Sequence, residues 1–197
     1  MFRMTAGLGL ATVLIAGTGA AFAAPVEATA GPACYSGPWK MTAMKIVAKG
    51  KTINNPSSTD ILKGGAGVKL TLTATGATYD FTGSKKVFFK LQSDNTTGWD
   101  QYTGLLKVRA KVTGDREGRI AVSRTGATGD AKGSTTYTDP YVKDPSWSVR
   151  SRLAEGYYNG PIVENATFTC AGDSLRMVDE YKDHGWVRVA DLRFTRI

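Results

Sequence analysis

Val68, Leu70, Leu72 and Ala74 alternate with Lys69, Thr71 and Thr73, the two-residue period of a strand with one dry face and one wet one. The pattern recurs along the chain. Tyr79 and Phe81 share a face in residues 78–82; Val87, Phe89 and Leu91 alternate with Lys86, Phe88 and Lys90. Over residues 101–113, Leu106, Val108, Ala110 and Val112 point one way and Lys107, Arg109 and Lys111 the other. Gly114 to Gly118 then turns the chain towards Ile120 and Val122, and three more strands are predicted over 166–170, 175–180 and 186–195. No apolar period of 3.6 residues is sustained beyond the first two dozen residues. Eight to ten short strands at hairpin spacing predict an all-β antiparallel sandwich or barrel.

Three stretches are less regular. Residues 39–48 begin with Trp39, Met41 and Ala43 on one face, then change phase to Met44 and Ile46, which predicts a β-bulge near Ala43. The Asn-, Ser- and Gly-rich segment after Lys49 reads as a long loop with one helical turn around 58–63. Residues 125–161 contain two Asp-Pro steps and several glycines; they read as loop with one or two short strands or a helical turn.

The chain opens with Arg3, an apolar run over 6–18, and Ala21-Phe22-Ala23. This is the layout of a signal peptide cleaved after Ala23. The apolar run is shorter than the ~20 residues of a transmembrane helix, so no transmembrane anchor is expected after processing. Residues 1–23 are thus read as signal peptide, 24–33 as a flexible lead-in and 34–197 as a single domain, secreted or extracytoplasmic. The 25 basic and 17 acidic side chains give a net charge of +8, a surplus suited to anionic polymers or surfaces. The only two cysteines, Cys34 and Cys170, are expected to pair in an exported chain. Such a bridge would contribute about 5 kcal/mol by loop entropy.

Candidate chemistry is sparse. Gly172-Asp173-Ser174-Leu175 matches a short serine-esterase string, but it sits where a hairpin turn is expected. The only histidine, His184, follows ten residues later with Tyr181, not an aspartate, three positions before it. Ser174 and His184 are read as catalytically idle, and no enzyme activity is expected. Asp179, Glu180, Asp183 and His184 make an oxygen-rich patch, but one imidazole and two bridged thiols cannot assemble a zinc set. No metal or other cofactor is expected. Lys107, Arg109 and Lys111 with Lys86 and Lys90 could form a basic wall. With only Phe88 interleaved, base stacking has little to work with, and no nucleic-acid partner is expected.

Gly37-Pro38-Trp39 at the head of the first strand resembles the Gly-x-Trp opening of lipocalins, and Leu192-Arg193-Phe194-Thr195-Arg196 resembles their closing strand. The arrangement is similar to secreted lipocalin-like β-barrel proteins of actinobacteria. That resemblance implies a single up-and-down barrel in which Arg196 lies over Trp39 and closes one end. It also implies non-catalytic binding of a small apolar or amphipathic ligand in a cavity lined by Leu70, Leu72, Tyr79, Phe81, Phe89, Leu91, Leu106 and Val108. The same positions could equally be plain core. The rival reading is a cell-envelope interaction protein whose basic outer surface binds an anionic polymer or partner. A filled barrel with clustered surface cations would favour that rival; an open apolar cavity would favour the carrier.

Overall fold

A computed structural model describes residues 33–51, 57–139, 141–156 and 160–197; the expected signal peptide (1–23) and nearly all of the lead-in lie outside them. The described residues form β1 (Gly37–Gly50), β2 (Ser58–Gly64), β3 (Lys69–Leu72), β4 (Gly76–Asp80) and β5 (Val87–Leu91). There follow β6 (Thr96–Thr103), β7 (Leu105–Gly114), β8 (Glu117–Val122), β9 (Thr128–Gly129) and β10 (Lys132–Thr138). The chain ends with β11 (Tyr141–Lys143), β12 (Trp147–Ser148), α1 (Val149–Glu155), β13 (Asn165–Ala171), β14 (Ser174–Asp183) and β15 (Trp186–Arg196).

Eight strands close a ring in the order β1-β15-β14-β13-β8-β7-β4-β3 and back to β1. Each barrel strand neighbours the next barrel strand in the chain, and every pairing is antiparallel. The fold is a closed, lipocalin-like, up-and-down β-barrel. What departs from a plain barrel is β1. Residues 37–40 pair with β3 and close the ring, whereas residues 44–50 pair with β2 and leave it. The expected irregularity sits at that fork, a register shift against β15 between Met41 and Ala43. From the fork a second sheet fans out in the order β2-β5-β6-β10-β11. We call it the wing.

The wing accounts for the stretches that sequence patterning misplaced. Residues 58–63, expected to hold a helical turn, are strand β2. Its alternation is hard to see because the outward side carries Ile61 beside Lys63, while Leu62 points inward. Residues 101–113, expected as one strand, are split at Gly104 (φ 79°), which sends β6 to the wing and β7 to the barrel. Residues 125–161 are richer in structure than expected, with the seven-residue β10, three short strands and α1. α1 is capped by the Ser148 hydroxyl, which accepts from Ser151 N–H at 3.3 Å, and ends at Gly156 with φ 77°, left-handed backbone that glycine adopts without a Cβ penalty.

One continuous apolar core runs through both parts. Tyr79 stacks on Phe81 at 6.2 Å, Phe81 tilts against Tyr102 at 5.6 Å, and Tyr102 meets Trp147 edge-on at 5.7 Å. This aromatic ladder joins barrel to wing.

Candidate functional site

Among the described residues the barrel interior is closely packed. Trp39, Leu70, Leu72, Phe81, Leu106, Met177 and Leu192 have zero exposure. At zero exposure no water-sized space adjoins a side chain, whether enclosed or open to solvent. Tyr79 and Val108, also expected to line a cavity, are 1% and 5% exposed. Eight strands enclose a space that side chains can just fill, and here they fill it. Phe89 and Leu91 are corrected in a different sense: both lie on β5 of the wing, because alternation assigns a residue to a face but not to a sheet.

One end of the barrel is fastened by polar contacts. Trp39 pairs with Arg196 across β1 and β15, and the Arg196 guanidinium carbon stands 4.2 Å from the Trp39 ring centroid. Arg196 donates to the carbonyls of Ser36 at 3.0 Å and Cys34 at 2.6 Å, while Trp39 Nε1–H donates to Tyr35 O at 2.8 Å. Three successive carbonyls are thereby satisfied in a segment that makes no strand. The Cys34–Cys170 disulfide, with Cα atoms 6.0 Å apart, ties the same segment to β13. Residues 160–164 pack against the barrel elsewhere. Ile162 and Val163 are 1% exposed, and Glu164 N–H donates to Asp179 at 2.8 Å. Burial pushes the Tyr79 phenol far above its usual range, opposed by a backbone hydrogen bond to Val163. A recess of about 100 Å³ nearby is lined by Arg124, Glu164, Asp179 and Arg188. Much of its charge is spent internally: Arg124 binds Glu164 at 2.6 Å, and Asp179 also accepts from Asn165 N–H at 3.3 Å.

The wing has two faces, an inner one that is largely buried but grooved and an outer one exposed to solvent. Its inner face carries a groove of about 160 Å³ lined by Leu62, Phe89, Leu91, Asp100, Thr135 and Tyr137. Register explains the set, since Leu62, Phe89, Gly98 and Tyr137 lie in one cross-strand row and Asp100 faces Thr135 in the next. Gly98 is required here: a Cβ would sit 2.5 Å from Phe89 Cζ, so the bare backbone lets Phe89 lie across it and meet Tyr137 edge-on at 5.8 Å. Asp100, 9% exposed, accepts from Thr135 Oγ1 at 2.8 Å and from the Tyr102 hydroxyl at 3.4 Å. Burial holds its carboxyl above the usual carboxylate range, and those two hydrogen bonds pull the other way.

The outer face is a different surface. Cross-strand rows place Glu180, Val189, Val47, Ile61, Lys90 and Thr97 in one line from β14 to β6. The adjacent line holds Asp191, Lys45, Lys63, Phe88 and Trp99, and the line on the other side holds Lys182, Val187 and Lys49. Lys86 Nζ stands 3.9 Å from the Trp99 ring centroid. Six strands at ~4.8 Å spacing make this face about 24 Å across. Its two acids are already engaged: Asp191 by Arg176 at 2.9 Å and Arg193 at 3.4 Å, Glu180 by Lys182 at 3.0 Å. Of the seven large apolar side chains exposed among the described residues, four lie here, namely Phe88 (57%), Tyr141, Val187 and Val189. The cations therefore stand among apolar side chains, not on an all-polar wall.

The cations that could have formed a basic wall are divided. Lys107, Arg109 and Lys111 run along β7 on the barrel, whereas Lys86 and Lys90 flank or belong to β5 in the wing, and β5 and β7 are not neighbours. Ser174 and His184 lie at opposite ends of the ten-residue β14 hairpin arm, about 30 Å apart at ~3.4 Å per residue, so the imidazole cannot reach the hydroxyl. In the acidic patch Asp179 points inward to backbone amides, Glu180 faces outward, and His184 Nδ1 contacts its neighbour Asp183. Among the described residues no three metal-ligating side chains converge. No family model, curated protein or solved structure matches the chain.

Asp100, Thr135 and Tyr137 were invisible as a group because Asp100 falls just before the strand expected over 101–113, and Thr135 and Tyr137 fall in the irregular stretch 125–161. A hint exists in Gly98, Asp100 and Tyr102, which alternate with Trp99 and Gln101: a charge at an inward position marks a special site. The outer face had its own signal in a β1 run too long for a small barrel, with Lys45, Val47 and Lys49 on its wet side.

Proposed function

We propose that this protein is an exported, non-catalytic binding module that docks on a phosphate-rich anionic polymer of the cell envelope through the outer face of the wing. The observation that carries this reading is the filled barrel beside an open sheet face where Lys45, Lys49, Lys63, Lys86 and Lys90 stand among Val47, Ile61, Phe88 and Trp99. Lysines serve as point charges for phosphate, and Phe88 and Val189 give a flexible chain apolar ground on which its sugar or alkyl parts can lie. The same geometry speaks against the interior carrier, whose ligand would have to displace a close-packed core.

Titration with inorganic polyphosphate tests the proposal. Binding should weaken steeply with salt, as bound counterions are released. At ~1 kcal/mol for each close charge contact in water, Lys63→Glu with Lys90→Glu should weaken binding at least ~30-fold, since each reversal replaces an attraction with a repulsion. Reversing Lys107 and Lys111 on the barrel wall should cost much less. Equal losses from the two pairs would reduce the affinity to net charge and overturn the docking face.

A further inference from the structure

We infer that the groove on the inner face of the wing is a binding site for a small amphipathic cation, a primary ammonium carried on a compact apolar group. This site is independent of the polymer-docking face on the other side of the same strands.

The chemistry of the groove selects the ligand. Leu62, Phe89, Leu91 and Tyr137 form apolar walls, and Asp100 and Thr135 are its polar groups. Two hydroxyl donors leave Asp100 with unused acceptor positions, since a carboxylate has about four. The charges that act on Asp100 are that of Arg152, whose guanidinium carbon lies 5.3 Å from the Trp147 ring centroid, and then that of Asp144. Among the described residues Asp100 is the one charged group in the groove's lining, of sign opposite to the chain's net charge of +8, which disfavours anions. A neutral apolar ligand would strip water from Asp100 without supplying a counter-charge, a costly exchange. An ammonium supplies that charge, and the Phe89 and Tyr137 rings add cation–π attraction. The volume of about 160 Å³ is below the range of drug-sized pockets, roughly 300–1,000 Å³, so the ligand is small. Because burial favours the protonated carboxyl and a bound cation favours the ionised one, affinity should fall in mild acid.

Calorimetric titration with 2-phenylethylamine, 2-phenylethanol and phenylacetate compares three near-isosteres differing in charge. The amine should bind at least tenfold more tightly than the alcohol at pH 7, and phenylacetate more weakly than either. Asp100→Asn should erase the advantage of the amine and leave the alcohol unchanged. If Asp100→Asn does not fold, Leu91→Trp, at a half-buried position, should fill the groove and abolish binding of the amine. An alcohol that binds as well as the amine, an Asp100→Asn variant that keeps the preference, a Leu91→Trp variant that still binds, or no heat from the amine in the millimolar range would each overturn the assignment.

Discussion

Barrel and wing are built from the same alternating strands, yet they use their inward faces differently. The barrel bends its sheet into a ring, so every inward side chain meets others across the axis, and Leu70, Leu72 and Leu106 end at zero exposure. The wing is a sheet that leaves the ring at the fork in β1 and never closes. Its inner face keeps a groove at Phe89 and Leu91, and its outer face, continued through β1 onto the barrel strand β15, keeps Phe88, Val187 and Val189 in contact with water. The difference teaches that closure, not composition, decides where recognition can occur. A closed small barrel spends its apolar face on itself; an open sheet has surface left over.

Substitutions can sharpen that contrast, because barrel changes should act on stability and wing changes on binding. The largest effect belongs to the disulfide. Replacing Cys34 and Cys170 with alanine releases a link across 136 residues and should destabilise by roughly 2–5 kcal/mol, seen as a lower denaturant midpoint, with polyphosphate affinity unchanged in the fraction that remains folded. Leu106→Ala, in the filled interior, should cost about 2–5 kcal/mol through lost contacts and the cavity left behind. A cost under ~1 kcal/mol would mean that the barrel holds slack. Arg196→Ala removes both the Trp39 stack and two bonds to carbonyls, so it should cost about 1–3 kcal/mol; an unshifted melting temperature would sink the idea that it fastens the barrel end.

The smallest effect concerns Asp100 and its pH dependence. Its folded-state carboxyl is held above the ordinary value, chiefly by burial. The associated stability is therefore fully present below the unfolded-state value and is lost as pH rises through the folded-state value. Asp100→Asn should gain on wild type between pH 3.5 and pH 7, measured as a difference in unfolding free energy at the two values. Asp191 has the opposite sign. Hydrogen bonding to Arg176 leads in holding it low, so its contribution is present above the ordinary value and fades as pH falls through the depressed one. A flat wild-type-to-Asn difference would show that Asp100 ionises in the fold as it does in the unfolded chain.

The barrel was legible in the sequence because its strands carry uninterrupted alternation, as in residues 68–72 and 105–112, and because both cysteines and the Trp39–Arg196 pair mark its ends. The wing was not. Alternation tells which side of a strand is dry but carries no address, so Phe89 and Leu91 could not be assigned to a sheet other than that of Leu106. The break at Gly104 was hidden inside one apparent strand, and the outward Ile61 and Val47 blurred the contrast that marks a half-buried strand. Residues 132–138, KGSTTYT, offer almost no apolar residues, and Gly133 is covered by the Trp147 ring, which leaves no room for a Cβ. Tertiary packing supplied there what the strand's own side chains lack.

The proposed function places recognition on the outer face of the wing and leaves the barrel as scaffold. Amide hydrogen exchange of the intact protein, with and without polyphosphate at low salt, tests this most directly. Added protection should concentrate in β1 beyond Met44 and in β2, β5 and β15 around Lys45, Lys63, Lys90 and Val189, with β3, β4, β7 and β8 unchanged. Protection spread along β7 and β8, or none anywhere at saturating polymer, would contradict it.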